Sequence, residues 1–166
     1  LRGRRVTDAA ALVRQLGLRP HPEGGWYREL HRSAQQVTPG DGRGARAGLT
    51  TIYFLLAEGT HSRFHRVTSD EAWHLYAGAP LELLELSADG GSLVRHLLAP
   101  IDHPEGAPVH VIPAGAWQAA RPLGAWTLVG CSVGPGFDFA DFTMLSDEPG
   151  LADAVRGRFP AVAELV

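Results

Sequence analysis

A chain of 166 residues with 45% hydrophobic and 20% charged residues fits one globular domain, residues 1–166, with a buried core. The net charge is -3 and the basic residues are scattered, which argues against a nucleic-acid or anionic-membrane partner. A single cysteine excludes a disulfide framework and a cysteine-based zinc cluster. No apolar run approaches the ~20 residues of a membrane span, and none forms the apolar core of a signal peptide. We therefore expect a cytoplasmic protein.

The first predicted element is a short helix near the N-terminus. Leu12, Val13 and Leu16 fall on one face at helical spacing. Thr7 is the expected N-cap, and Asp8 is expected in the first turn, where an acidic side chain is favourable. A glycine and a proline end the pattern shortly after Leu16.

The rest of the chain consists mainly of short apolar runs separated by turn residues. We predict extended segments over residues 26–32, 49–56, 64–67, 71–76, 81–86, 93–98, 108–112, 117–121, 125–133 and 137–142. Many short strands at close spacing are typical of a sandwich or barrel. Residues 33–48 are predicted to form a long loop, as a lid or a disordered insertion, and residues 150–166 one or two helical turns.

Residues 52–56, Ile-Tyr-Phe-Leu-Leu, are apolar at every position. A strand with one solvent-exposed face should alternate between apolar and polar residues, so both faces of this strand are expected to be buried. A partner subunit could supply the second cover in a small barrel. We therefore expect a homodimer.

Two local patterns carry the most specific information. Between Gly59 and Gly78, His65 follows the first glycine after five residues, and Glu71 lies six residues beyond it. The second pattern is Pro-Ala-Gly at residues 113–115, followed three residues later by Gln118.

Together these patterns resemble the two conserved motifs of the cupin superfamily, with Val67 at the second histidine of the first motif and Gln118 at the histidine of the second. The wider sequence is similar to a branch of short single-domain cupins whose function is largely unassigned, through residues 21–27, 64–66, 70–74, 112–115 and 135–139. The resemblance implies an all-β fold, a cupin-type double-stranded β-helix (jelly-roll) barrel with a short N-terminal helix and a short helical C-terminal segment.

The resemblance also implies which side chains meet in a pocket. Side chains two apart on a strand share a face, so Glu71 and Trp73 face together, and in a cupin that face is the barrel interior. His65 lies on the preceding strand, and Gln118 would reach in from the far side. We predict His65 and Glu71 as the catalytic pair, Trp73 as a flat wall for a sugar-like or aromatic ligand, and Gln118 as an amide that orients it.

Two further residues are weaker candidates for substrate binding. Glu23 is a candidate for the mouth of the pocket, and Arg121 for contact with an anionic substrate group. Plain structural interpretations stay open for the main candidates as well: His65 as a buried histidine satisfied by Glu71, and Trp73 as part of the core.

In typical cupins, two or three histidines and the glutamate bind iron, manganese or zinc. Here the resemblance leaves His65 and Glu71 as good ligands, because Val67 offers no donor atom and an amide such as Gln118 is a poor ligand for these metals. No cofactor is expected, although a weakly bound divalent metal would use His65, Glu71 and Gln118. The seven other histidines show no local ligand spacing, so no rival metal site is predicted.

Three functions remain open from the sequence. The first is a metal-independent isomerase, epimerase or cyclase acting on a small polar metabolite, with His65 as acid and base and Glu71 as its partner; metal-free cupins such as sugar epimerases resemble this arrangement. The second is a non-catalytic cupin that binds or senses a small molecule. The third is a metal-dependent cupin oxygenase with a degenerate ligand set.

Overall fold

The computed structural model describes residues 8–166. Along this range the elements are α1 (Ala9–Leu16), β1 (Arg19–Pro20), β2 (Trp26–Arg32), β3 (Gln36–Val37), β4 (Arg46–Ala47), β5 (Thr50–Ala57), β6 (Ser62–Arg66), β7 (Asp70–Gly78), β8 (Leu81–Leu86), β9 (Leu93–Leu98), β10 (Val109–Ile112), β11 (Trp117–Pro122), β12 (Trp126–Gly134), β13 (Thr143–Met144) and α2 (Pro149–Arg158), with 3₁₀ segments at Phe139–Asp141, Leu145–Asp147 and Pro160–Leu165. None of the helices in this range has the length and apolar character needed to cross a bilayer.

Two antiparallel sheets form a jelly-roll barrel, as expected from the sequence. One sheet has the strand order β1-β2-β5-β12-β7-β10 and the other β13-β6-β11-β8-β9, and β3 pairs with β4 in a separate hairpin. Side chains from both sheets fill the space between them, among them Phe54, Trp73, Leu83, Ile112 and Val129. The interior is therefore a packed core over part of its length, and the remaining space forms the candidate site.

Helix α1 begins one residue later than the sequence suggested. Asp8 is the N-cap, and its carboxylate accepts a hydrogen bond from the backbone N–H of Ala11, so it is not a residue of the first turn. Thr7, the expected N-cap, lies outside the described residues. The helix ends at Gly17, whose φ of 63° places it in the left-handed region that favours glycine.

The same helix explains the uninterrupted apolar run in β5. Ile52 and Phe54 face the barrel interior, whereas Tyr53 and Leu55 face the opposite side, where α1 packs against them. Leu55 has no exposed surface. The second cover of this strand therefore comes from the chain itself, and the expected homodimer stays a prediction that this strand no longer supports.

Residues 33–48 are anchored to the barrel. They contain the hairpin β3–β4, and the Arg46 guanidinium makes two hydrogen bonds of 2.8 Å to the carboxylate of Asp141. Arg43 adds a contact of 3.3 Å to the same carboxylate and donates to the Ser69 hydroxyl at 2.9 Å. The hydrogen bonds from Arg46 lower the pKa of Asp141, so the carboxylate stays charged at this junction.

Residues 137–142 do not form the predicted strand. The side chain of Asp138 accepts a hydrogen bond from the backbone N–H of Ala140 at 2.8 Å and caps the 3₁₀ segment Phe139–Asp141. This local bond turns the chain, and pairing resumes only in β13. The turn places two aromatic side chains of this segment at the opening of the barrel.

The C-terminal segment covers the outer face of the second sheet. Helix α2 and the following 3₁₀ segment bury Val155, Val162 and Leu165 against Leu84 and Trp117. The predicted helical ending is therefore confirmed, and Pro160 begins the 3₁₀ segment where the sequence predicted an interruption.

Candidate functional site

A cavity of about 250 Å³ lies inside the barrel and opens between β2, β5 and the segment at residues 137–139. Its walls are largely apolar, with aromatic side chains from both the barrel and the opening. Four buried or nearly buried imidazole and carboxyl side chains face it: His21, Glu23, His65 and Glu71. The structure therefore brings His65 and Glu71 to a common cavity together with Glu23, the candidate for the pocket mouth.

His65 lies on β6 with a defined ring orientation. Its Nδ1 is 2.7 Å from the carbonyl oxygen of Arg63, and a carbonyl can only accept, so Nδ1 carries a hydrogen. The opposite nitrogen, Nε2, lies 3.0 Å from Oε2 of Glu23. The sequence pointed to Glu71 as the hydrogen-bonding partner of His65. Glu23 takes that place, because its segment folds across the end of β6.

Glu23 reaches His65 because two glycines follow it. Gly24 and Gly25 have φ values of 111° and 73°, and a Cβ added at Gly24 would lie 2.1 Å from the carbonyl oxygen of His61. This close approach lets the carbonyl of Glu23 accept a hydrogen bond from the backbone N–H of Arg63 at 2.8 Å. The two glycines thus allow the close backbone packing that places the carboxyl group of Glu23 inside the barrel.

The Glu23–His65 pair holds one proton between Nε2 and Oε2. Burial raises the pKa of Glu23 and lowers the pKa of His65, so both shifts favour a neutral carboxylic acid that donates to a neutral imidazole. The other carboxyl oxygen of Glu23 accepts from the Ser62 hydroxyl at 2.8 Å. Because Nε2 and Oε2 lie within hydrogen-bond distance, the protonation of one group affects the protonation of the other.

Two fully buried side chains form a hydrogen-bonded chain that ends on Glu71, on the side away from the cavity. The Nε1–H of Trp73 donates to Oε1 of Gln118 at 2.8 Å, and Nε2 of Gln118 donates to Oε2 of Glu71. Because an indole N–H can only donate, the amide oxygen must face Trp73. Trp73 and Gln118, predicted to touch the ligand, therefore lie behind Glu71 and orient it without lining the cavity.

Burial raises the pKa of Glu71 from its ordinary 4.5 to about 7. The nearby carboxyl of Glu23 acts in the same direction, whereas His65, the Gln118 amide and the Cys131 thiol lower the pKa. Burial also keeps the pKa of the Cys131 thiol well above its usual range, so it stays protonated and donates to Glu71. Glu71 can thus gain or lose a proton near neutral pH.

His21 is a site residue that the sequence argument did not single out, although it begins the segment at residues 21–27. Its Nδ1 accepts from the backbone N–H of Glu23 at 3.3 Å and lies 3.5 Å from Oε2 of the same residue. Burial lowers the pKa of His21. Its ring stands edge-on to Tyr27 and parallel to Phe139, which fixes it between the cavity and the opening.

Charged groups border the opening of the cavity. The guanidinium of Arg32 makes two 2.9 Å bonds to the carboxylate of Glu29 and a third, also 2.9 Å, to the carbonyl of Phe137. Asp138 lies beside them. Arg32 therefore lines the cavity, where the sequence predicted another arginine.

That other arginine, Arg121, does not reach the cavity. Its guanidinium is paired with Glu82 and with Glu164, the latter at 2.8 Å, on the outside of the barrel. The end of β11 carries it past the interior face, so its predicted contact with a substrate in this cavity is corrected.

The residues at the usual metal position of a cupin do not fit a metal centre here. Val67 lines the cavity without a donor atom, and the only good donor of Gln118, its amide oxygen, faces Trp73. His65 has one nitrogen on a backbone carbonyl and the other on Glu23. Both ring nitrogens of His65 thus already have partners, and neither Val67 nor Gln118 offers a donor atom to an ion in the cavity.

The fold and both motifs lead to the family. Residues 10–145 match the family described as cupin superfamily (DUF985), and the chain belongs to it. A hypothetical protein from Leishmania major is 30% identical with a TM-score of 0.82, over 96% of this chain and 96% of that one. A protein from Shewanella oneidensis is 34% identical with a TM-score of 0.82, over 95% of this chain and 96% of that one.

A more distant likeness shows the fold alone. Oxalate decarboxylase from Bacillus subtilis is 12% identical with a TM-score of 0.56, and the match covers 89% of this chain and 36% of that one. A search of the curated proteins finds no match. The expected cupin family and barrel are therefore confirmed, and the chemistry has to be argued from the cavity.

Proposed function

We propose that this protein is a metal-independent enzyme that moves protons on a small polar metabolite, as an isomerase, epimerase or cyclase does. One observation carries the proposal. A single buried cavity holds a carboxyl group, Glu71, whose pKa is about 7, together with the Glu23–His65 pair that retains one proton. A site that has both a base and a proton donor near neutral pH suits reversible proton transfer.

The proposed step starts with ionised Glu71. Its carboxylate takes a proton from a carbon next to a carbonyl group, and the electron pair of that C–H bond forms the C=C bond of an enol. The carbonyl oxygen receives the proton held by Glu23 and His65. In an isomerisation, Glu71 returns its proton to the neighbouring carbon, and a hydroxyl group on the original carbon gives its proton to the Glu23–His65 pair and becomes the new carbonyl. In an epimerisation, the enol turns its other face to Glu71, receives the proton on the same carbon, and returns its O–H proton to the pair. Neither reaction involves net oxidation.

The size and lining of the cavity define the substrate class. A volume of about 250 Å³ is slightly below the usual range of ligand pockets, roughly 300–1,000 Å³. The apolar walls include Phe54 and Tyr27, and Arg32 stands at the opening. These features favour a single sugar-like or aromatic ring with a carbonyl group, and an acidic substituent would meet Arg32.

Solvent-deuterium exchange tests the proposal without a known product. The protein is incubated in D₂O with a panel of aldoses, ketoses and small keto acids, and loss of the carbon-bound proton is followed by NMR. We expect exchange into at least one compound, slowed about 10²-fold or more in His65→Asn because Glu23 then loses the imidazole that shares its proton. His31→Asn, an exposed histidine on β2, is the matched control and should keep the wild-type rate.

Three outcomes would overturn the proposal. A compound that perturbs the cavity resonances but never exchanges would identify a binding protein. Exchange at the wild-type rate in His65→Asn would remove His65 from the reaction. Exchange that disappears with EDTA and returns with a divalent metal would contradict metal-independent chemistry.

A further inference from the structure

Three potential metal ligands meet at a second place in the barrel, outside the cavity. Nε2 of His96, on β9, is 2.8 Å from Oε2 of Glu85, on β8. Nε2 of His110, on β10, is 3.3 Å from the same oxygen. Among the His, Cys, Asp and Glu residues of the described range, this is the group of three whose ligand atoms lie within 4.8 Å of one another.

The strand order explains why the sequence did not reveal this group. His96 and His110 are separated from Glu85 by 11 and 25 residues, so no short motif contains them. Strands β9 and β10 are the edge strands of the two sheets, and the barrel brings these edges together. Local spacing in the sequence, which indicated no rival metal site, therefore could not detect that His96 and His110 meet at Glu85.

We propose that Glu85, His96 and His110 form a binding site for a divalent transition metal such as Zn²⁺. Two imidazoles and one carboxylate are the donors that Zn²⁺ prefers, with metal–ligand distances of about 2.0–2.2 Å. Ligand atoms around a tetrahedral ion are then roughly 3.3 Å apart. The two distances from the Glu85 oxygen, 2.8 and 3.3 Å, are close to that spacing.

Binding requires a small rearrangement of the two rings. His96 and His110 are stacked, with centroids 3.5 Å apart and planes at 23°, so their Nε2 atoms do not yet aim at one point. Their side chains are 23% and 30% exposed, which gives them room to turn apart. Metal binding through Nε2 requires a bare nitrogen there, so each ring must carry its hydrogen on Nδ1 in the bound state.

The site is distinct from the catalytic cavity. Gln118 on β11 lies opposite His65 on one neighbouring strand and opposite Glu85 on the other. The hydrogen-bonded pair of Trp73 and Gln118 therefore stands between the cavity and the proposed metal site. An ion there would join the edges of the two sheets and stabilise the barrel without taking part in the proton transfer proposed above.

Calorimetric titration of the EDTA-treated protein with Zn²⁺ tests this proposal. We expect one ion per chain, and a loss of affinity of at least about tenfold in His96→Ala and in His110→Ala, since outer-shell changes alone weaken metal sites by about 10–100-fold. Zn²⁺ should raise the melting temperature of the wild type but not of either variant. His65→Asn and His31→Ala are the controls and should bind like the wild type.

NMR of the unsubstituted protein keeps the test valid if a variant does not fold. Addition of Zn²⁺ should shift the ring resonances of His96 and His110 and leave those of His65 unchanged. The proposal is overturned if the wild type binds no Zn²⁺, if both variants retain full affinity, or if binding shifts His65 instead.

Discussion

We expect the Glu71→Gln variant to exchange substrate protons with solvent about 10²–10⁴-fold more slowly than the wild type, the range that a general base contributes. Glutamine keeps the volume of the side chain, and its amide oxygen can accept the bond from Gln118. What it loses is the ability to take a proton. The comparison uses whichever compound of the D₂O panel exchanges fastest with the wild type.

The pH dependence of the same reaction shows whether Glu71→Gln is slow because the base is lost or because packing around residue 71 is disturbed. The pKa of Glu71 is about 7, so the wild-type rate should rise with pH until the carboxyl is fully ionised. In Glu71→Gln this rise should be absent, whereas Glu105→Gln, at an exposed position, should retain both the rate and the rise. An unchanged profile in Glu71→Gln would exclude Glu71 as the base.

The second large effect concerns stability. The pKa of Glu71 is raised from 4.5 to about 7 in the folded protein, so its protonated form favours folding. This stabilising contribution is complete below about pH 4.5 and is lost as the pH rises from 4.5 through about 7. Over that range Glu71 ionises in the unfolded chain, whereas burial keeps it protonated in the folded protein. A rise of this size in pKa corresponds to about 3 kcal/mol.

Glu71→Gln removes that dependence, since a glutamine does not titrate. We therefore expect the free energy of unfolding of the variant, relative to the wild type, to increase by about 3 kcal/mol between pH 4 and pH 8. Urea unfolding of both proteins at several pH values measures the difference. Glu105→Gln supplies the matched control, and a wild-type–variant difference that stays constant with pH would contradict a buried, titrating Glu71.

The sequence predicted the barrel and part of the site because spacing along strands fixes which side chains share a face. His65 and Glu71 lie at the spacing of the first cupin motif, and both line the cavity. The apolar run in β5 suggested a dimer, but in the structure helix α1 buries the outer face of this strand. Periodicity alone does not distinguish burial by the same chain from burial by a second copy.

The rest of the site depends on contacts between distant segments. Glu23 meets His65 only because Gly24 lets the backbone pass close to the start of β6 and Gly25 lets it pass close to β5. The direction of the Gln118 amide is decided by an indole N–H that lies 45 residues away in sequence, which turns a predicted ligand contact into a support for Glu71. The group of Glu85, His96 and His110 likewise exists only once the two sheet edges meet.

Nitrogen NMR of His65 in uniformly ¹⁵N-labelled protein tests the central claim most directly, because it reports which ring nitrogen carries the hydrogen. We expect a neutral ring between pH 6.5 and pH 8, protonated at Nδ1, with Nε2 accepting the hydrogen bond from Glu23. A ring protonated at Nε2 alone, or one that becomes charged over this range like an exposed histidine, would contradict it.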